Sequence, residues 1–361
     1  MKKQKSILLF IPSIEDGGVE KNLYLIANYL AKTNLSVEIL TAFNDKKKLF
    51  DKKIRIISLK RKNIIKSRLI KIFITIFLFI RYFYNRDILI LSFQSNIIAT
   101  LLGLFFNKKV VIRSNTSPEK YIKNNIKKSI FKYFFGLADE IIVNSNEFKK
   151  RFKKKFSITP IVIYNPFIEK KSKKIKFNFF NDKKSLKIIN VSRLTDQKDH
   201  LTLFRAVKKL SKINKCKLLI IGKGYKEKFL RKYIMKNKLE NIIKLIGYKK
   251  NPESYIRLSD VLVLSSVYEG LPNILIEALY LKKFIISSNC PTGPKEILDN
   301  GKYGDLFKVG DHNQLFKLLK NYKKKIPLIN YKINQGYKSL TRFDYKTNCK
   351  RYYQIISKHI K

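Results

Sequence analysis

The chain has 361 residues, 78 of them Lys or Arg against 26 Asp or Glu, for a formal charge of +52. That length suits two domains better than one, and 45% hydrophobic with 13% aromatic residues excludes a disordered chain. Cys216, Cys290 and Cys349 form no CxxC, and His200, His312 and His359 have no zinc-ligand spacing, so neither a disulfide framework nor a metal site is expected.

The charge points to a polyanionic partner, either nucleic acid or an anionic membrane face. Only 13 of the 78 basic residues are Arg, the side chain preferred for bidentate recognition of bases and phosphates. Lys, Ile, Asn and Phe are all abundant, as AT-rich coding produces. Composition bias therefore explains the charge better than nucleic-acid binding does. Attraction to an anionic membrane needs only net charge and survives either way. Widely separated free thiols fit a reducing cytosol.

The chain opens with basic Met1–Lys5 and apolar Ser6–Pro12. The apolar run is one strand long, and Glu15-Asp16-Gly17-Gly18 follows where a signal peptide would need a small-residue cleavage site, so a first strand is expected. Gly17-Gly18 precede a helix over Glu20–Lys32. Paired glycines there suit a phosphate or sugar hydroxyl, or a plain tight turn. Strands are expected at Val37–Thr41 and Ile54–Leu59. Leu69–Tyr84 is the most membrane-like segment, but its unbroken core, Ile72–Ile80, is nine residues, short of the roughly 20 that span a bilayer. It reads as a core-facing helix with basic ends at Lys71, Arg81 and Arg86, or alternatively as a helix lying in a membrane interface. No transmembrane helix is expected.

Strands at Ile88–Ser92, Val110–Ser114, Ile141–Ser145 and Ile161–Tyr164 then alternate with helices at Ile97–Phe106 and Asn125–Gly136. This is the rhythm of a doubly wound parallel sheet. Around Lys170–Ser185 it breaks into a charged, aperiodic stretch that reads as a linker. It restarts with strands at Lys187–Val191, Lys217–Ile221, Ile243–Gly247, Val261–Leu264 and Phe284–Ser288. The expected division is a Rossmann-like domain over 1–168, a linker over 169–185 and a second Rossmann-like domain over 186–340. In the remainder, 341–361, an amphipathic helix at Tyr345–Lys361 carries Tyr352, Ile355, Ile356 and Ile360 and is read as packing back on the first domain.

The most informative stretch is Ser265–Ala278. It leaves the apolar run Val261–Leu264 and becomes a helix that Pro272 can open. Glu269 then sits in a loop at a strand's carboxyl end, where ligands bind in open α/β sheets, and Glu277 lies on the helix. Other features fall on the same edge. Arg193 and Lys198 are five residues apart across a strand-to-helix loop, in which Asp196–Asp199 is expected to open the helix. Both cations can meet one anion, and a departing diphosphate needs such charges. Gly222 follows the next strand, and Gly247 and Tyr248 with Asn251-Pro252 form a loop able to hold a base. The seven residues between Glu269 and Glu277 separate two carboxylates whose natural targets are hydroxyl donors. Cys290–Glu296 makes a rigid loop beside them. Each feature alone is explicable as an ordinary turn or solvated charge; together they mark one edge as a site.

These residues resemble the retaining GT-B glycosyltransferases of family 4, often called group 1. Val191-Ser192-Arg193-Leu194 with Gln197-Lys198-Asp199 is similar to the family's phosphate-binding segment. Glu269-Gly270-Leu271-Pro272-Asn273 with Glu277-Ala278 looks like its E-x7-E motif. Ile163–Pro166, Gly17–Glu20 and Val111–Asn115 resemble its first-domain end, N-terminal loop and acceptor-side Arg segment. Cys290–Glu296 is similar to N-acetylhexosaminyl and galactosaminyl transferases of surface-polysaccharide pathways.

The resemblance implies an acceptor-binding first domain and a nucleotide-sugar-binding second domain facing a central cleft. It implies a retaining transfer from a nucleotide-diphosphate sugar, UDP-linked, to a lipid-linked or polysaccharide acceptor in cell-envelope synthesis, at the inner membrane face. Arg193 and Lys198 would neutralise the diphosphate without a metal or other cofactor, and Glu277 would grip the ribose. Glu269 would contact the sugar, the backbone of Gly270–Asn273 would help hold it, and Gly18 would approach the phosphate. Domain closure would exclude water. Many members carry a His near Ile88–Asn96; this chain has none there, so Gln94 or Asn96 is expected to make the sugar contact and no first-domain catalytic residue is assigned. A GT-B nucleotide-sugar epimerase is the nearest alternative, and a basic nucleic-acid-binding protein a more distant one.

Overall fold

A computed structural model of the chain describes residues 5–15, 17–44, 47–59, 65, 67–115, 122, 124–169, 175 and 177–360. Residues 1–4 of the basic start, Asp16 of the first turn, and 170–174 and 176 of the expected linker lie outside them. The chain divides into two compact units, Met1–Phe167 with Phe343–Lys361, and Ile168–Arg342.

Unit 1 holds strands β1 (Ser6–Phe10), β2 (Ser36–Phe43), β3 (Arg55–Leu59), β4 (Leu89–Ser92), β5 (Lys109–Ser114), β6 (Glu140–Val143) and β7 (Ile161–Val162). They form one sheet in the order β3-β2-β1-β4-β5-β6-β7, and every pair is parallel. Between them run α1 (Gly18–Leu30), α2 (Arg68–Phe83), α3 (Asn96–Phe105), α4 (Asn125–Gly136) and α5 (Asn146–Phe156). Strand alternation sends Ile7 and Leu9 into one core and Leu8 and Phe10 into another. With both faces covered, the strands are largely apolar, with Glu38 of β2 and Arg113 of β5 as buried charged exceptions. α5 shows how a very basic sequence still folds: Phe148, Phe152 and Phe156, one helical turn apart, are its buried residues, while the Lys side chains stay in water.

The second unit holds β8 (Leu186–Val191), β9 (Cys216–Ile221), β10 (Ile243–Leu245), β11 (Val261–Leu264), β12 (Phe284–Ser288) and β13 (Asp305–Phe307), in the order β10-β9-β8-β11-β12-β13, again all parallel. Helices α6 (His200–Ser211), α7 (Glu227–Lys236), α8 (Glu253–Leu258), α9 (Asn273–Tyr280), α10 (Pro294–Ile297), α11 (His312–Lys320) and α12 (Ile326–Lys338) alternate with and follow the strands. β13 has no counterpart among the expected strands. Its three residues are too few to carry a period, and Gly304 before it lets the chain run against β12, where a Cβ would lie 2.6 Å from the Ile285 carbonyl oxygen.

The last helix, α13 (Tyr345–His359), belongs to unit 1, where Cys349, Tyr352 and Ile356 enter the core with Ile7 and Leu23. The chain leaves unit 1 and re-enters it at adjacent points: the Phe167 N–H donates to the Phe343 carbonyl at 2.8 Å. Beside them Arg113 is fully buried. Its guanidinium donates to the Tyr352 hydroxyl at 2.8 Å, to Asn165 Oδ1 at 2.7 Å and to Asn115 Oδ1, with the Phe93 ring 5.5 Å away. All these partners are neutral. Burial holds the Tyr352 phenol above its ordinary value, so it remains a hydroxyl that can accept from Arg113. The Arg of the expected acceptor-side segment thus faces inward and ties β5 to the exit segment and to α13.

Tyr352→Phe removes one acceptor from this buried cation. The expected cost is about 1.5–3 kcal/mol, read by urea unfolding. Stability equal to wild type would show that Arg113 does not depend on that bond.

Candidate functional site

Parallel pairing sends every loop that follows a strand to the same edge of its sheet. In each unit the chain winds outward in opposite directions from one pair of neighbouring strands, β1 and β4 in unit 1 and β8 and β11 in unit 2. Such a divergence leaves a crevice at the carboxyl ends.

At the unit 2 divergence the loop after β8 is laced to the loop after β11. Asp196–Lys198 form a short 3-10 turn, and Asp199, at φ 41°, caps α6 by accepting from the Thr202 N–H at 3.2 Å. This corrects the expectation that Asp196–Asp199 opens the helix: the left-handed residue breaks the turn, and α6 starts at His200. Lys198 forms an ion pair with Glu269 Oε1 that is largely shielded from water, and Ser266 Oγ donates to the same oxygen at 2.6 Å. Oε2 of Glu269 has no bond among the described residues and is left to accept from a hydroxyl. Ser265 Oγ donates to the Lys198 carbonyl at 2.9 Å, the Val267 N–H to the Gln197 carbonyl at 2.8 Å, and Gln197 Nε2 to the Tyr268 carbonyl at 2.9 Å. From the loop after β12, Thr292 donates to the Glu269 carbonyl. Gly293 is needed there: it sits at φ 86°, and a Cβ would lie 1.9 Å from the Gly270 carbonyl oxygen. Cys290, buried near Glu269, has its thiol pushed up to about 12 by burial first and by that carboxylate second, and stays protonated.

A buried polar chain backs the loop after β8. Asn190 Nδ2 donates to the Val263 carbonyl at 2.8 Å, which turns its Oδ1 toward the Ser192 hydroxyl, 2.7 Å away. Ser192 spends its proton on Asn190, so His200 Nε2, at 3.0 Å, is the donor to Ser192. Burial, with the Lys198 charge second, lowers the His200 pKa to about 4 and keeps the ring neutral. Gly222 closes against this chain at φ 155°, with room for no Cβ because the Ser192 carbonyl oxygen would lie 1.8 Å from it. The Gly222 N–H donates to the Gly247 carbonyl at 2.9 Å. Tyr248 next to Gly247 is half exposed, with Lys223 Nζ 5.2 Å from its ring centroid.

Arg193 is exposed on the loop after β8, its side chain unpaired among the described residues. Pro272 caps α9 in an extended conformation, so Asn273 is the first helical residue, and Gly270 and Leu271 lead into it. Glu277 is buried on α9. The structure therefore gathers Lys198, Glu269, Gly222, Gly270 and the start of α9 on one edge. Gly17 and Gly18 belong to unit 1. Residues without an expected role turn out to organise the edge: Ser266, Thr292, Ser192 and His200. The Ser265-Ser266 pair right after a buried strand, and a His just inside a helix start, were the available signals.

In unit 1, Gly17 is the N-cap of α1, and a Cβ on it would meet Glu20 Oε2 at 2.6 Å. Glu20 is buried and accepts from Gln94 Nε2 at 3.1 Å, which joins the first turn of α1 to the loop after β4. Burial is the main cause that raises its pKa. Asn96 Oδ1 accepts from Ser92 Oγ at 2.9 Å. Of the two residues offered as alternatives for the sugar contact, Asn96 is thus held by a local bond and Gln94 by a long-range one. Between them Ser95 adopts φ 56°, and its buried hydroxyl has no partner among the described residues.

Two family descriptions match the chain: Glycosyltransferase Family 4 over residues 16–169 and Glycosyl transferases group 1 over residues 171–339. The chain belongs to this family of glycosyltransferases. An uncharacterized glycosyltransferase of Methanocaldococcus jannaschii is 34% identical over 60% of this chain and 58% of its own length. The N-acetylgalactosamine-N,N'-diacetylbacillosaminyl-diphospho-undecaprenol 4-alpha-N-acetylgalactosaminyltransferase of Campylobacter jejuni is 30% identical over 63% of this chain and 64% of its own length. The matched stretch thus spans about three fifths of these curated relatives. Anabaena HepE, solved in complex with UDP and glucose, superposes with a TM-score of 0.79 over 98% of this chain and 100% of its own at 17% identity. That likeness shows the fold, GT-B, with two Rossmann-like parallel-sheet units.

Lys198→Met leaves the Glu269 carboxylate shielded and unpaired, at an expected cost of ~3–5 kcal/mol. Lys198→Met with Glu269→Gln should recover part of that loss in urea unfolding; a single variant as stable as wild type would remove the pair from this account. Because folded unit 1 holds the Glu20 proton more tightly than the unfolded chain, stability should fall as pH rises from the ordinary 4.5 through the raised folded value. Thermal midpoints across that window should show the fall in wild type and its loss in Glu20→Gln.

Proposed function

We propose that this protein is a retaining glycosyltransferase of cell-envelope glycan synthesis. It moves a sugar from a nucleotide-diphosphate sugar, with UDP as the carrier, to a lipid-linked or polysaccharide acceptor at an anionic membrane face. The observation that carries the reading is the shielded Lys198–Glu269 pair at the β8/β11 divergence, with Arg193, unpaired among the described residues, on the same loop as Lys198. Similar proteins support it: Anabaena HepE is solved in complex with UDP and glucose, and the Campylobacter jejuni relative is an N-acetylgalactosaminyltransferase for a diphospho-undecaprenol-linked sugar.

The roles follow from charge and geometry. Arg193 brings a cation to the carboxyl edge, and Lys198 a second one whose ammonium is oriented by Glu269 and whose backbone is held by Ser265. As the glycosidic bond to the diphosphate breaks, charge grows on the leaving oxygen, and these fixed cations stabilise it in place of a divalent ion. The N–H groups that begin α9 favour a phosphate or sugar oxygen. Glu269 presents Oε2 to a sugar hydroxyl while Oε1 stays bound to Lys198 and Ser266. Glu277 accepts from the ribose hydroxyls, and Tyr248 offers a ring face for the base. Retention of configuration fits attack from the face the diphosphate leaves, with no carboxylate nucleophile assigned.

UDP at about one hundred times its Kd should stabilise the protein by about 2.7 kcal/mol, a shift of several degrees in thermal midpoint. The shift should exceed those with GDP and ADP and be unchanged by EDTA. Glu277→Ala should raise the donor KM at least ten-fold. No nucleotide shift would overturn the donor assignment, and a shift abolished by EDTA would overturn metal independence.

A further inference from the structure

Leu69–Tyr84 reads as a core helix or an interfacial one, and the structure gives it a buried face and an exposed apolar face. α2 buries Lys71, Thr75, Leu78, Phe79 and Phe83 on one face; Lys71, expected as a basic end, instead turns inward and reaches Ser13 and Glu15. On the other face, Leu69, Phe73 and Phe77 recur at helical spacing in solvent. The same layer of unit 1 contains α3 and α4: all three helices bury residues in one core, the Phe79 and Phe106 rings lie 5.5 Å apart, and α3 packs against α4. Phe105 on α3, with Ile126 and Tyr133 on α4, is also turned outward. These six residues are between 57% and 77% exposed. Apart from Leu49, every large exposed hydrophobic side chain of unit 1 among the described residues lies on α2, α3 or α4 or directly after them. The opposite layer, α1 and α13, has none. An apolar surface confined to one layer of a unit marks an interaction face.

The charges around it select the partner. None of α2, α3 and α4 contains an Asp or Glu. Arg68 and Arg81 near the ends of α2, and Lys127 and Lys132 on α4, are exposed between the apolar side chains. Aromatic and aliphatic groups interleaved with cations match the headgroup boundary of an anionic bilayer. The helix cannot cross one: 16 residues of α2 reach about 24 Å, less than a hydrocarbon core of about 30 Å. No described helix is long and apolar enough to span a membrane.

We propose that the α2–α3–α4 layer of unit 1 is the face with which the protein lies on an anionic lipid bilayer, its aromatic side chains inserted among the headgroups. The inference rests on the lipid-borne acceptor proposed above and names the surface that meets the lipid. Co-sedimentation of the full chain with vesicles of phosphatidylglycerol and phosphatidylethanolamine, against vesicles of phosphatidylcholine alone, tests it. Because +52 of charge attracts any anionic vesicle, the informative variant leaves charge untouched: Phe73→Ser with Phe77→Ser. At about 0.15 M salt it should bind the anionic vesicles at least ten-fold more weakly than wild type. Ile213→Ser with Met235→Ser, exposed positions of unit 2, should bind as wild type does. Undiminished binding by the α2 variant, equal binding of wild type to phosphatidylcholine, or a change in self-association without a change in vesicle binding each overturns the proposal. A UDP thermal shift unaltered in the α2 variant shows that it is folded. Absence of that shift in wild type removes the donor reading while leaving the vesicle result to stand on its own.

Discussion

Every strand pair in both sheets is parallel, and the other features of the molecule follow from that constraint. A parallel neighbour can be reached only by a crossover, so each strand is followed by a chain segment that packs over a sheet face. All the exit loops then collect on one edge. Where the winding reverses, the two exit loops separate, and in each unit polar side chains fill the gap. In unit 2 they are Lys198 and Glu269; in unit 1 they are Glu20 and Gln94. The ligand edge is a consequence of strand direction before it is a matter of side-chain chemistry.

Two shielded cations illustrate opposite uses of burial. Arg113 is enclosed by hydroxyl, amide and ring groups, with no carboxylate bonded to it among the described residues. It serves as a multidentate donor joining three stretches of unit 1, and its five donors in a rigid fork suit that task. Lys198 is paired with a carboxylate that also accepts from Ser266. Such a pair gains little net stability after desolvation, but it fixes two opposite charges at one place on the carboxyl edge. Preorganised charge of that kind stabilises a departing diphosphate without reorganising as the bond breaks. The neutral His200–Ser192–Asn190 chain behind it holds the loop without adding charge that would compete.

The surplus of Lys is spread over the whole chain, whereas exposed apolar groups in unit 1 are concentrated on one layer. Charge alone attracts the protein to any anionic surface and is screened by salt. The apolar groups define an orientation. In the proposed bilayer contact, net charge would draw the protein to a lipid face and this one side would hold it there, as the proposed lipid-borne acceptor requires.

Much of this architecture is determined by local pattern. Val261–Leu264, Phe284–Ser288 and Asn125–Gly136 begin and end where apolar runs and helical periods place them, because propensity and periodicity act over a few residues. The grouping of Arg193, Lys198, Glu269 and Gly222 on one edge is likewise legible, since each follows a strand and parallel strands share an edge. The rest depends on contacts between distant parts of the chain. Arg113 stands at a strand end like a site residue, and distant partners, Asn165 and Tyr352, make it an internal tie. Asp196–Asp199 looks like a helix start, but its links to the loop after β11 go with a 3-10 turn. The outer face of α2 is as apolar as its inner face, so periodicity alone cannot tell which one meets the core. Burial is a property of what the chain folds against, and that is decided by tertiary packing.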